Sequence, residues 1–128
     1  MPSEIKSEIK SVFGIIFSED QKSMVMVKRR DFPLWVFPGG GMEKEESPEK
    51  ACLRELEEET GFRCRIIRKV CDFDHKKVIK VRSSLFVCQV VSGQAKLSNE
   101  AMKVSFFPIA EPPKLFLPIF KEFLDISL

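Results

Sequence analysis

The stretch from Ser47 to Gly61 constrains this chain more than any other, because it reads as a helix with both ends marked. Ser47 has a side-chain oxygen suited to capping free N–H groups, and Pro48 suits the first helical position, where a missing N–H costs nothing. The helix is expected to run to about Thr60, with Gly61 able to adopt a left-handed stop. Inside it, Glu55, Glu58 and Glu59 stand at i, i+3 and i+4, which confines the three carboxylates to an arc of about 100°. Glu57 points the opposite way, while Cys52, Leu53, Leu56 and Thr60 form a neighbouring stripe suited to packing on a sheet. The segment therefore predicts a core side and a carboxylate side.

On either side of it the pattern is that of strands. Val12 to Phe17 and Met24 to Arg29 are hydrophobic β-formers around a polar break at Ser18 to Lys22, which predicts an opening antiparallel hairpin. Ser3-Glu4-Ile5-Lys6 is repeated as Ser7-Glu8-Ile9-Lys10, too short a duplication to build a repeat fold, and reads as a polar lead-in. Asp31 to Pro38 is aromatic and extended, since Pro33 and Pro38 exclude a helix, and Gly39-Gly40-Gly41 reads as a flexible loop. Downstream, Arg65 to Phe73 and Val78 to Val91 are expected strands, the latter bent near Ser83-Ser84, with a turn at Gly93. Lys103 to Ile109 reads as a further strand, and Pro112-Pro113 break the chain before an amphipathic closing helix at about Pro118 to Asp125. Strands on both sides of a central helix, then a terminal helix, predict an α+β fold: a mixed β-sheet sandwiched between α-helices.

Composition narrows the partners. A chain of 128 residues, 44% hydrophobic with 12 Phe, is expected to form a single domain over residues 1–128 with a sizeable core. A formal net charge of only +2, with both signs interspersed, argues against a duplex nucleic-acid surface. Cys52, Cys64, Cys71 and Cys88 are too far apart for a CxxC pair and His75 is the only histidine, so a zinc site is not expected and the cysteines read as small buried hydrophobes. The apolar run from Val12 to Phe17 is too short for a signal-peptide core or a membrane span, which points to the cytoplasm and to no membrane partner.

Three carboxylates on one helical face repel one another, and near the C-terminal end they oppose the helix dipole as well. A solvated acidic face is one account; a hard divalent cation that takes oxygen ligands is the other. The glycine triplet ahead of the helix favours the second, because backbone free of side chains can approach a phosphate or offer a carbonyl to a metal. From Gly40 the chain reads Gly, five residues, Glu46, seven residues, then Arg54-Glu55-Leu56-Glu57-Glu58-Glu59-Thr60-Gly61-Phe62. This resembles the Nudix box, G-x5-E-x7-R-E-U-x-E-E-x-G-U with U aliphatic or aromatic, at all nine specified positions over 23 residues. Trp35-Val36-Phe37-Pro38-Gly39 ahead of it is similar to the strand-to-loop entry of that family, and the order of elements is similar to its α/β/α sandwich.

The resemblance implies a hydrolase of phosphoanhydride bonds that uses Mg2+, with Mn2+ as a substitute. It makes Glu58 and Glu59 principal metal ligands, Glu55 a further ligand or the base that activates water, and a main-chain carbonyl of Gly39 or Gly40 a completing ligand. Arg54 would orient the catalytic glutamate, with Glu46 as its partner. The family often places one more carboxylate before an aromatic pair, and Glu100 ahead of Phe106-Phe107 holds such a place. Lys28 and Arg30, on one face of their strand, are candidates for an outer phosphate, and Trp35 and Phe32 either stack on a base or belong to the core.

The short chain resembles the small MutT-like members that convert nucleoside triphosphates, oxidised ones included, to a monophosphate and pyrophosphate. The absence of tyrosine weighs against dinucleoside polyphosphates, while ADP-ribose, nucleotide sugars and RNA 5′ ends stay open. The partner is then a small-molecule nucleotide, bound by a monomer or a homodimer. A Nudix-fold binding module without turnover is the alternative of another class, although such modules typically lack box carboxylates that are all present here. A purely structural protein using Leu115 to Leu128 is a third reading.

Overall fold

In a computed structural model of the chain, residues 8–30, 34–75, 81–96 and 101–113 are described. Alternating apolar side chains build β1 (Ile9–Phe17), which sends Ile15 to one side and Val12 and Ile16 to the other. Part of the expected polar lead-in, Ile9-Lys10, is thus already strand; residues 1–7 lie outside the described residues. Along one edge β1 runs parallel to β6 (Val81–Gly93), from Ile9 opposite Arg82 to Phe17 opposite Gln89. β6 in turn pairs antiparallel with β5 (Phe62–His75) over its whole length. These pairs make the sheet mixed, as expected.

On its other edge, β1 does not form the long hairpin that the sequence suggests. β2 (Ser23–Arg29) pairs with it only at Phe17 opposite Met24. Beyond that point the two strands diverge, and the wedge between them is filled by β3 (Trp35–Val36) against β2 and β4 (Gly39–Gly41) against β1. The glycine triplet is therefore a strand and not a flexible loop: the side of β1 away from β6 would otherwise leave backbone groups between Ser11 and Phe13 without ladder partners. The far edge of β2 is taken by β7 (Ala101–Pro108), antiparallel from Ser23 opposite Pro108. One seven-stranded sheet results, ordered β3-β2-β1-β6-β5, with β4 also on β1 and β7 also on β2.

No break occurs at Ser83-Ser84, where the bend was expected. Both residues are fully buried, and their hydroxyls are satisfied inside the sheet: Ser83 Oγ pairs with Ser11 Oγ at 2.5 Å, and Ser84 donates to Asp72 Oδ1 at 2.6 Å. The irregularities lie elsewhere: the pairing of β1 with β6 slips between Ile9 and Ser11, opposite Arg82 and Ser83, and the pairing of β5 with β6 slips at Val91 of β6 and at Ile67 and Val70 of β5. As the outer strand of the sheet, β5 gains from this, because bulges and cationic side chains blunt an edge against pairing with other chains.

The helix α1 (Pro48–Thr60) lays Ala51, Cys52 and Leu56 on one face of the sheet, against Val12, Ile16, Val25, Phe62, Phe86 and Cys88. Full burial of Leu56 stabilises that contact by about 1.5–3 kcal/mol. A second apolar cluster, around Ile15, Met24, Met26, Phe37, Phe73 and Leu85, is fed by side chains of alternate positions. Cys52 and Cys88 are buried and Cys64 and Cys71 half-buried, all as free thiols. The expected closing helix, Phe32 and Glu100 lie outside the described residues. Among the described residues no helix is long and apolar enough to cross a membrane.

Candidate active site

Both ends of α1 are fixed by the residues that marked them. Ser47 Oγ accepts from the Lys50 amide at 3.2 Å, and Gly61 sits at φ 87°, its N–H donating to the Glu57 carbonyl at 2.9 Å. Thr60 Oγ1 donates to the Leu56 carbonyl and accepts from the Phe62 amide, tying the last turn to β5. With both ends pinned and Leu56 seated on the sheet, the rotation of the helix is fixed, and so is the direction of its carboxylates.

Arg54 organises the acidic side. Its Nε and one terminal nitrogen grip the Glu46 carboxylate at 2.7 and 2.8 Å, the fork-to-fork geometry that gives strong, directional pairs. The same nitrogen donates to the Gly41 carbonyl at 3.0 Å; the other reaches Glu55 at 2.7 Å and Glu58 at 3.1 Å. Glu46 also accepts from the Glu43 amide, inside a turn where Glu45 takes φ 70°. The Arg54 guanidinium, with that amide, holds the Glu46 carboxyl down at about 2, and the glutamates push the Arg54 pKa up. One guanidinium thereby ties the start of the helix, β4 and the carboxylate face together.

Glu55 is pressed against the backbone of β4. Its side chain is 14% exposed, and a Cβ placed on Gly40 would overlap its carboxylate. Only glycine leaves room there. Burial raises the Glu55 pKa and the neighbouring Glu58 carboxyl adds to that, against the pull of Arg54. Glu58 projects outward at 58% exposed, whereas Glu59 is 5% exposed, deeper than its place on an acidic face suggested. It stands three residues after the buried Leu56, at the border of the apolar stripe. Glu57 points away, as expected, and pairs with Arg63 at 3.1 Å.

This donor set suits a hard cation. Glu55, largely covered, and Glu58, exposed, are neighbouring like charges, and the cation between them in this structure is the Arg54 guanidinium. Among the described residues no three acidic, histidine or cysteine side chains converge on a single point. Glu55, Glu58 and Glu59 nonetheless stand within two turns of α1, and β4 abuts Glu55 at Gly40.

The remaining candidates divide. Lys28 and Arg30 do not share a strand face: β2 ends at Arg29, and Arg30 is exposed in the bend beyond it. Trp35 packs edge-on against Phe107 at 4.7 Å between ring centres, among the second cluster, and is only half-buried. Two features had no signal that the motif could carry. The Gly41 carbonyl anchors Arg54 through a strand pairing, and Lys103 is brought opposite Lys28 by the register of β7.

A NUDIX domain model matches residues 8–125. A Bacillus subtilis protein assigned as an 8-oxo-dGTP diphosphatase is 37% identical over 83 residues, covering 65% of this chain and 54% of that protein. An ADP-ribose pyrophosphatase of Methanocaldococcus jannaschii is 32% identical over 115 residues, covering 82% of this chain and 64% of its own length. This chain thus spans roughly half to two thirds of the curated relatives it matches. Among solved structures, a UDP-X diphosphatase superposes with a TM-score of 0.80 at 25% identity, over 98% of this chain and 66% of that one.

Proposed function

The chain belongs to the NUDIX domain family, and from that premise we propose that it is a pyrophosphohydrolase that cleaves a phosphoanhydride bond in a small nucleotide, with residues 1–128 acting as one domain. The observation that carries this reading is the seat of Glu55: a carboxylate with a raised pKa, held between Gly40 and Arg54 on a helix fixed at both ends. A raised pKa suits a base that must take a proton near neutral pH. Water loses its proton to Glu55 as its oxygen attacks phosphorus; the anhydride P–O bond breaks, and the electron pair leaves on the departing phosphate or pyrophosphate. Arg54 holds Glu55 in the attacking direction, and Glu46 and the Gly41 carbonyl hold Arg54. A divalent cation, magnesium with manganese as a substitute, would be held by Glu58, Glu59 and the Gly39 carbonyl, with Glu55 a further ligand where it is not the base, and would supply charge neutralisation and a more acidic water.

The substrate class that leads is a nucleoside triphosphate, oxidised forms included, cut to a monophosphate and pyrophosphate. The relatives named for ADP-ribose and UDP-linked compounds make diphosphate-linked nucleotides the second reading. Purified protein incubated with magnesium and a panel of nucleoside triphosphates, oxidised nucleotides, ADP-ribose, nucleotide sugars and dinucleoside polyphosphates separates them by the products formed. Glu58→Gln is expected to keep the fold and lose most turnover, and near-normal activity in that variant overturns the ligand assignment. A folded protein that hydrolyses nothing on the panel with either metal turns the reading toward a binding module.

A further inference from the structure

Lys28 of β2 lies directly opposite Lys103 of β7, and on its other side it lies opposite Trp35 of β3. Cross-strand partners share a face, so Trp35, Lys28 and Lys103 form a row across three strands. Like charges directly opposite each other destabilise a ladder. Lys28 is half-buried and Lys103 exposed, and neither has a carboxylate partner among the described residues. The pairing also slips here: Lys28 faces Lys103, but Arg29 faces Ala101, so β7 carries an extra residue beside the lysines. A bulge in such a place re-aims side chains and strengthens local twist. An anion shared by both ammonium groups turns this repulsion into attraction.

We propose that Lys28 and Lys103 form a binding dyad for a second phosphate of the substrate, remote from the anhydride that is cut, with Trp35 as its apolar wall. The inference rests on the reading of Glu55 as the reacting centre. Trp35 and Gly40 are five residues apart, so even fully extended chain separates them by no more than about 18 Å, and Gly40 abuts Glu55. A molecule with its anhydride at Glu55 and a further phosphate within that distance can reach both places. A polyphosphorylated small molecule fits that description, and so does an RNA 5′ end with its following phosphodiester.

The test uses Lys28→Gln, Lys103→Gln, the double variant and Lys103→Arg. Inositol hexakisphosphate, which has no anhydride to cut, serves as a binding probe by calorimetry. Each Gln variant is expected to weaken its binding about tenfold, or about 1.4 kcal/mol, with Lys103→Arg restoring it and thermal stability equal to or above that of the parent. In turnover, KM should rise for ADP-ribose bearing an added 2′-phosphate, or for a 5′-triphosphorylated oligoribonucleotide, while KM for ADP-ribose stays unchanged. A rise for the first alone assigns a small polyphosphate, and for the second alone an RNA end. Parental protein that ignores the hexakisphosphate, variants that bind it unchanged, or an equal rise in KM for ADP-ribose overturns the dyad. If nothing is hydrolysed but hexakisphosphate binding still requires both lysines, the enzymatic reading fails and the dyad stands.

Discussion

Gly40 and Glu55 are the pair on which single-residue arguments turn. Gly40→Ala would place a methyl group where the Glu55 carboxylate lies. The expected result is a loss in kcat of the size that removal of a general base gives, roughly 10²–10⁴-fold, with the circular dichroism of the parent. Combined with Glu55→Gln, the loss should be no greater than for Glu55→Gln alone, because both changes remove one function; additive losses would separate the two residues. Glu46 yields a pH prediction. Its carboxyl is held at about 2 by Arg54 and the Glu43 amide, below its ordinary 4.5. A folded-state value below the unfolded one means that the pair's contribution is fully present above about 4.5 and lost as pH falls through 2. Denaturant titrations between pH 6 and pH 2 should show Glu46→Gln less dependent on acid than the parent, and identical slopes would refute the pairing. At this scale the motif's residues were readable because their side chains carry the chemistry. Glu59 lies deeper than Glu58 because a helical position bordering two faces goes to the one the packing selects.

At the scale of elements, α1 was legible to the residue. Its start at Pro48 and stop before Gly61 are set by local chemistry that any helix of this sequence would use. Gly61→Ala is expected to destabilise the fold by more than the roughly 1–2 kcal/mol of a left-handed alanine, since its Cβ would also meet the Gln94 carbonyl. Thermal melting checks this, and an unchanged midpoint would mean that the C-terminal stop does not matter. The long strands were legible as well, but their partnership was not, nor was the short strand Gly39–Gly41. The short polar break after Phe17 signalled a hairpin, yet β2 leaves β1 after one pair. The glycine triplet looked like a loop because glycine has low strand propensity, which a vacant edge on β1 overrides.

At the scale of the whole molecule, helix and sheet are joined through an interface that buries Cys52 and Cys88 and half-buries Cys64. Burial pushes the Cys64 thiol up to about 12, with Cys52 and Glu57 adding to it, and the neighbouring Cys52 and burial push Cys88 up further. Thiols as deeply covered as Cys52 and Cys88 react only when the domain opens. Alkylation of the buried Cys52 and Cys88 by iodoacetamide at pH 8 should therefore follow global unfolding, accelerating with denaturant as the fold does; rapid labelling of these two under native conditions would show that α1 lifts on its own. The sequence by itself determined the acidic helix, its caps, its core stripe and the family, because these depend on contacts within a few residues or on a motif of fixed spacing. Only the tertiary structure decided that Gly39–Gly41 is a strand, that Arg54 reaches back to the Gly41 carbonyl, and that Lys28 meets Lys103. Those depend on register between distant strands, which is set by how whole faces of side chains are buried together and leaves no mark at any one position.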